Sequence, residues 1–95
     1  MSAPKETNVP ADDLRDPDLT VIYGVDTCED TVRAMERFDA AGRPYRYVRL
    51  DVDTAIRDGL HELGHMVTPV VVTPAGDISV EPSDEELAAI IAATA

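Results

Sequence analysis

The stretch LTVIYGVDTCEDTVR, residues 19–33, decides the fold of this chain. Its first part, LTVIYGV (19–25), is a short apolar and β-branched run, typical of a strand that is buried on both faces. Thr27 and Asp30 then have the spacing of a capping box at the start of a helix. Cys28, the only cysteine of the chain, lies between them. The stretch therefore predicts a buried strand that leads into a helix, with a thiol at the junction.

The residues after the cysteine predict a helix and then a strand with one solvent-exposed face. Val32, Met35 and Phe38 recur at helical spacing and form the predicted core face of this helix, which Gly42 ends. In YRYVRLDVD (45–53), apolar residues alternate with polar and charged ones, which predicts a strand at the edge of a sheet. The side chains predicted to be buried from this strand are Val48, Leu50 and Val52.

A second helix and a hairpin follow. TAIRDGLHEL (54–63) has Thr54 as a candidate N-cap and Gly64 as its stop. The runs PVVVT (69–73) and DISV (77–80) flank a Pro-Ala-Gly link, which predicts two antiparallel strands joined by a turn.

The last predicted element is a helix that Ser83 opens. Ser83 and Glu86 have capping-box spacing, and the helix has an apolar stripe formed by Leu87, Ile90 and Ile91. The predicted order is β-α-β-α-β-β-α, an α/β fold. A right-handed crossover makes the first two strands parallel, and the last two are antiparallel.

Composition and charge limit the classes of function. The chain has 95 residues and a net charge of −11, which disfavours binding to nucleic acid or to an anionic membrane. Residues 1–18 are rich in proline and acidic residues and predict a flexible tail, so the folded domain is expected over residues 19–95. No apolar run is long enough to span a bilayer, and no secretory signal is visible. We expect a cytoplasmic protein that acts as a monomer.

Three segments in this order resemble the glutaredoxin family of the thioredoxin fold. They are IYGVDTCEDT (22–31) in the place of the cysteine motif, VTPVVV (67–72) in the place of the cis-proline segment, and PSDEEL (82–87) in the place of the turn that holds glutathione. The resemblance implies a four-stranded mixed sheet flanked by three helices, with a cis bond before Pro69. Because Thr31 stands where many members have a second cysteine, it also implies a single-cysteine variant.

The resemblance further implies a monothiol oxidoreductase. Cys28 would attack a mixed disulfide between a protein and glutathione, or another low-molecular-weight thiol, and a second small thiol would release the adduct. Thr31 would donate a hydrogen bond to the sulfur, and Thr68 and Pro69 would face it. Ser83 and Asp84 would hold the α-carboxylate and the α-amine of the small thiol.

The residues alone leave alternatives open. A helix N-terminus lowers the pKa of a thiol, whereas the nearby Asp26, Glu29 and Asp30 raise it, and we expect a modest net lowering. Arg33 and Arg57 would offset these acids only if they folded towards the site.

An unpaired cysteine is often a packing residue, Pro69 is compatible with a plain strand start, and the Ser83 turn is explained by helix capping alone. A redox-inert adaptor that binds a protein partner, and a [2Fe–2S] carrier with Cys28 as ligand, are the competing functions. His61 and His65 lack partners at metal-ligand spacing, so no metal site is predicted within one chain.

Overall fold

A computed structural model describes residues 14–93 as one mixed sheet with helices on both faces. The elements are β1 (Thr20–Gly24), α1 (Glu29–Ala40), β2 (Tyr45–Arg49), α2 (Thr54–Glu62), β3 (Val70–Val72), β4 (Ile78–Val80) and α3 (Asp84–Ala93). The strand order is β2-β1-β3-β4; β1 and β2 are parallel, and the other neighbours are antiparallel. The predicted element order, the edge position of β2 and the mixed four-stranded sheet are confirmed. Within this part of the chain, no helix is long and apolar enough to cross a membrane.

The core lies on both faces of β1, all of whose residues are buried. Because side chains alternate along a strand, Val21 and Tyr23 face a cluster that includes Leu60 of α2. Ile22 faces the opposite cluster, which α1 and α3 complete. The buried members of this second cluster are Ile22, Ala34, Phe38, Val71 and Leu87. The strand that precedes the cysteine is therefore held rigidly from both sides.

The chain leaves α1 and α2 through glycines. Gly42 and Gly64 have φ values of 67° and 90°, a backbone region that favours glycine, which confirms both predicted helix stops. The N-cap of α2 is Asp53, whose side chain accepts from the backbone N–H of Ile56 at 3.3 Å. The prediction of Thr54 as the cap is wrong, because Thr54 is itself the first helical residue.

Two predicted core faces differ in detail from those observed. In α1, the buried residues are Thr31, Ala34 and Phe38, while Val32 and Met35 are half-buried. After β2, Leu50 is buried as predicted, but Val52 is 69% exposed. The strand ends at Arg49, and the following turn carries Val52 away from the sheet.

Leu14 belongs to the core, although the sequence places it in the flexible tail. Its side chain is 1% exposed, and the Tyr23 hydroxyl donates to its backbone carbonyl. Asp16 accepts from the N–H groups of Asp18 and Leu19. The boundary at residue 18 therefore lies too late, because a leucine that fills space beside β1 offsets the cost of ordering its neighbours. Residues 1–13 of the predicted tail lie outside the described residues, as do residues 94–95.

Candidate active site

Cys28 occupies the N-cap of α1, the position where a side-chain acceptor commonly binds the first N–H groups of a helix. Its own N–H donates to the Val25 carbonyl at 3.1 Å, which closes a tight turn after β1 and leaves Thr27 exposed. The predicted capping box of Thr27 with Asp30 is therefore wrong, because the helix begins one residue later than that box requires. Cys28 stands at the N-cap position, but its side chain makes no cap hydrogen bond.

The pKa of Cys28 lies below its ordinary value, in the direction expected from the sequence. Partial burial is the largest single influence, and it raises the pKa. Donor groups near the sulfur outweigh burial and lower the pKa; they are the side chains of Thr68 and Thr31 and the backbone N–H groups of Thr31 and Asp30. In the thiol form, Sγ also lies 3.7 Å from the Thr68 carbonyl oxygen, to which it donates. The site thus offers fixed donors to a thiolate.

Two of the acids that the sequence predicts to oppose ionisation of Cys28 are engaged by other residues. Asp26 accepts from the Tyr47 hydroxyl at 2.6 Å, and its carboxylate lies 3.6 Å from Nε of Arg49. Asp30 pairs with Arg33 at 3.2 Å. Sequence reasoning missed the roles of Tyr47 and Arg49. The parallel pairing of β2 with β1 brings both residues to the end of the sheet where Asp26 lies, and only this pairing could have revealed them. These pairs reduce the negative potential at the sulfur.

Thr31 lies fully buried beneath the cysteine, against the last residue of β1. Among residues 14–93, its hydroxyl has no hydrogen-bond partner other than the Cys28 sulfur, whose pKa it lowers. A Cβ built on Gly24 would collide with this hydroxyl oxygen and would lie 2.5 Å from Cγ2 of Thr31. Gly24 therefore provides the room in which Thr31 sits, a role that the sequence did not reveal.

The Thr68-Pro69 peptide bond is cis, as expected from the resemblance. Pro69 is buried, and its carbonyl accepts from the N–H of Glu81 at 2.8 Å. Glu81 has a φ of 48°, which is uncommon for a residue with a side chain. The hydrogen bond ties the turn that carries Ser83 to the proline segment.

Ser83 and Asp84 begin α3 and are engaged within the protein. Ser83 Oγ accepts from the N–H of Glu86 at 3.1 Å, and Glu86 accepts in return from the N–H of Ser83 at 2.8 Å, which confirms the predicted capping box. Asp84 lies 3.1 Å from Nε of Arg33 and 2.9 Å from a terminal nitrogen of Arg37. The structure therefore brings Cys28, Thr31 and Thr68 into one cluster. Ser83 and Asp84 instead contact Glu86 and two arginines.

An open groove of about 390 Å³ runs beside the motif. Its lining is acidic apart from one arginine; it consists of Asp26, Thr27, Glu29, Val32, Arg33 and Glu36. Arg33 lines this groove, whereas Arg57 pairs with its neighbour Asp58 at 3.2 Å.

On the other approach, three apolar side chains precede the cis-proline and are exposed: Leu63 by 41%, Met66 by 67% and Val67 by 46%. Residues 14–93 contain no cluster of three or more side chains arranged to hold a metal ion.

One of the comparisons with known proteins found a match. The family model described as Glutaredoxin matches residues 20–76, which include Cys28, Thr31, Thr68 and Pro69 but end before Ser83 and Asp84. No curated protein and no solved structure matched the chain. The family match covers more than half of the chain and agrees with its thioredoxin-like α/β sheet. The chain belongs to the glutaredoxin family, whose members are related to thiol oxidoreductases.

Proposed function

We propose that the protein is a monothiol thiol–disulfide oxidoreductase that uses Cys28 and a small thiol such as glutathione. The observation that carries this proposal is the sulfur of Cys28 at the N-cap of α1, half-buried and 3.7 Å from the Thr68 carbonyl oxygen. The donors around this sulfur lower its pKa, and the thiolate is the form that attacks disulfides.

The reaction has two exchange steps. The Cys28 thiolate attacks the small-thiol sulfur of a mixed disulfide, the original S–S bond breaks, and the substrate protein leaves as a thiolate that takes a proton from water. Cys28 then carries the small thiol in a new disulfide. A second small-thiol thiolate attacks the adduct at the small-thiol sulfur, which releases an oxidised small-thiol disulfide and restores the Cys28 thiolate. No resolving cysteine is needed.

The proposed contacts of the small thiol follow the family motif. Thr68 and Pro69 face the disulfide, Ser83 donates to the α-carboxylate at the N-terminus of α3, and Asp84 holds the α-amine. Asp84 would have to share its oxygens with Arg33 and Arg37, which already lie within 3.1 Å of it. This competition predicts weak recognition of the amine.

The groove lining suggests which small thiol is preferred. Asp26, Glu29 and Glu36 line the approach to the motif, and the whole chain carries a net charge of −11. An anionic thiol such as glutathione is repelled by this field, so a neutral or cationic thiol is the better co-substrate. The comparison that tests this is turnover with cysteamine, 2-mercaptoethanol and glutathione. A clear preference for glutathione that grows as salt is lowered would contradict the electrostatic argument.

The experiment that tests the proposal moves the thiol. Cys28→Ser should abolish turnover of a mixed disulfide, since the nucleophile is gone. The matched control is the double variant Thr27→Cys with Cys28→Ser, which keeps one thiol but shifts it to the exposed residue before the N-cap. We expect this variant to be inactive at neutral pH, although its thiol alkylates readily. Turnover by either variant would overturn the proposed role of the N-cap sulfur.

A second candidate function is a redox-inert adaptor that binds a protein partner. The exposed apolar residues Leu63, Met66 and Val67, next to the cis-proline, favour it, because exposed apolar side chains beside a site often contact other proteins. A Cys28 thiol that resists alkylation, together with binding that survives Cys28→Ser, would support the adaptor and exclude the oxidoreductase.

Because turnover requires a reduced thiol, the location proposed for the oxidoreductase is the cytoplasm. The chain is proposed to act there as a monomer.

A further inference from the structure

A second concave site lies at the end of the sheet opposite Cys28. It is a cleft of about 260 Å³ between the start of β1, the segment before β2 and the β3–β4 turn. Apolar side chains of Leu19, Pro44 and Pro74 form much of its wall, with Thr20 and Arg43 beside them. Cys28, Thr68 and Pro69 are not part of its lining, so the cleft is separate from the candidate active site.

Two buried hydrogen-bonding atoms of this cleft have no partner within residues 14–93. They are Oγ1 of Thr20, whose residue is only 2% exposed, and Nε of Arg43. A buried polar atom without a partner costs about 1–3 kcal/mol, so such atoms are rare in folded proteins unless a ligand or water satisfies them. Both belong to residues that line this one cleft, and a hydroxyl and an Nε–H are both hydrogen-bond donors.

The side chain of Arg43 is unlike the other described arginines. Each of the others contacts a carboxylate or a backbone carbonyl; they are Arg15, Arg33, Arg37, Arg46, Arg49 and Arg57. No such contact is made by Arg43 within the described range, even though Asp18 and Asp77 line the same cleft. An unpaired guanidinium in so acidic a chain is available to an anion from solution.

From this arrangement we infer that the cleft binds a small monocarboxylate with an apolar body. The carboxylate pairs with the Arg43 guanidinium, the Thr20 hydroxyl turns towards it as a second donor, and the body packs against Leu19, Pro44 and Pro74. The exposed carboxylates of Asp18 and Asp77 at the cleft disfavour phosphate and polycarboxylates, which carry more negative charge. Its volume lies at the small end of ligand sites, which limits the body to a few carbon atoms. This inference does not depend on the proposed thiol chemistry.

The test is an NMR titration of the ¹⁵N-labelled full chain with 3-methylbutanoate. We expect saturable shifts of the amides of Thr20, Thr73 and Ala75, with a dissociation constant on the order of 1 mM for so small a ligand. The control ligand is 3-methylbutan-1-ol, which has the same body without the charge and should not saturate. Absence of saturation with the carboxylate up to about ten times that concentration, or equal binding of the alcohol, would overturn the inference and leave a water-filled cleft.

Variants locate the site. Arg43→Gln should abolish saturation, and the matched Arg57→Gln, at an arginine already paired on α2, should leave it unchanged. Thr20→Val keeps the shape of the buried side chain and should weaken binding about fivefold, as expected for the loss of one hydrogen bond. Cys28→Ser should bind as the native chain does. Unchanged binding in Arg43→Gln, with a native amide spectrum as proof of folding, would refute the assignment.

Discussion

The contact between Gly24 and Thr31 makes a quantitative prediction about how the thiol is positioned. Gly24→Ala places a Cβ against the Thr31 hydroxyl oxygen, 2.5 Å from its Cγ2 and 3.0 Å from its Cβ. Both residues are buried, one at the end of β1 and the other in the first turn of α1. Relief of the clash therefore requires α1 to move away from the sheet, and Cys28 moves with it.

The magnitude follows from overpacking. Forcing a methyl group into a packed core costs about 1–3 kcal/mol, and contacts this short place Gly24→Ala at about 2–3 kcal/mol. Thr31→Ala removes a buried methyl group and a hydroxyl that has no partner besides the Cys28 sulfur among residues 14–93, at a cost of about 1 kcal/mol. The double variant removes the two closest contacts and leaves only the one at 3.0 Å. It should therefore lose about 2 kcal/mol rather than the sum of the two single losses, a coupling of about 1–2 kcal/mol.

The assay is urea unfolding followed by circular dichroism, with the free energy of unfolding compared at constant m-value. The control is Gly64→Ala, which is strained by its φ of 90° but has open space around its Cβ, so it should be additive with Thr31→Ala. Additivity of Gly24→Ala with Thr31→Ala to within about 0.5 kcal/mol would refute the packing argument. A Gly24→Ala variant with an unchanged free energy of unfolding would also refute the packing argument.

Three further predictions concern the core, the thiol and the pH dependence of stability. Leu14→Ala should destabilise the protein by about 2–4 kcal/mol in urea unfolding, whereas Leu63→Ala, at an exposed leucine, should cost less than about 0.5 kcal/mol; equal losses would exclude the docking of Leu14. Thr31→Val should raise the pKa of Cys28, measured from the pH dependence of alkylation, since a donor to the thiolate is lost; a lower pKa would contradict this role. Burial raises the pKa of Tyr23 from 10.0 to about 12, so the unfolded chain loses this proton first as the pH rises. Stability should be intact below pH 10 and fall by roughly 2–3 kcal/mol by pH 12, and Tyr23→Phe should abolish that contribution to the decline.

Local patterns were sufficient for the architecture. The β-branched run of β1, the glycines at 42 and 64 and the Ser83–Glu86 capping box each act over a few residues, and each is found where the pattern predicts it. The order of elements followed from these signals, and the parallel pairing of β1 with β2 followed from the crossover rule. The thiol at the strand–helix junction was likewise visible in the chain, because its place depends only on its nearest neighbours.

Other features depend on residues that are distant in sequence. The Thr27 cap and the burial of Val52 failed because the turns after β1 and β2 end each element at a residue that propensity does not fix. Leu14 was assigned to the tail because its few apolar neighbours give no sign of the space that it fills beside Tyr23.

The sequence by itself determined the sheet, its helices and a thiol at a helix start, since strand alternation, helix spacing and capping are local preferences of the backbone. Only the tertiary structure decided the electrostatic surroundings of that thiol. It pairs Asp26 with Tyr47 and engages Asp84 with two arginines. At the far end of the sheet, it leaves Arg43 without a side-chain partner among residues 14–93. Charges interact through space, so their partners are set by how the elements pack and not by their order along the chain.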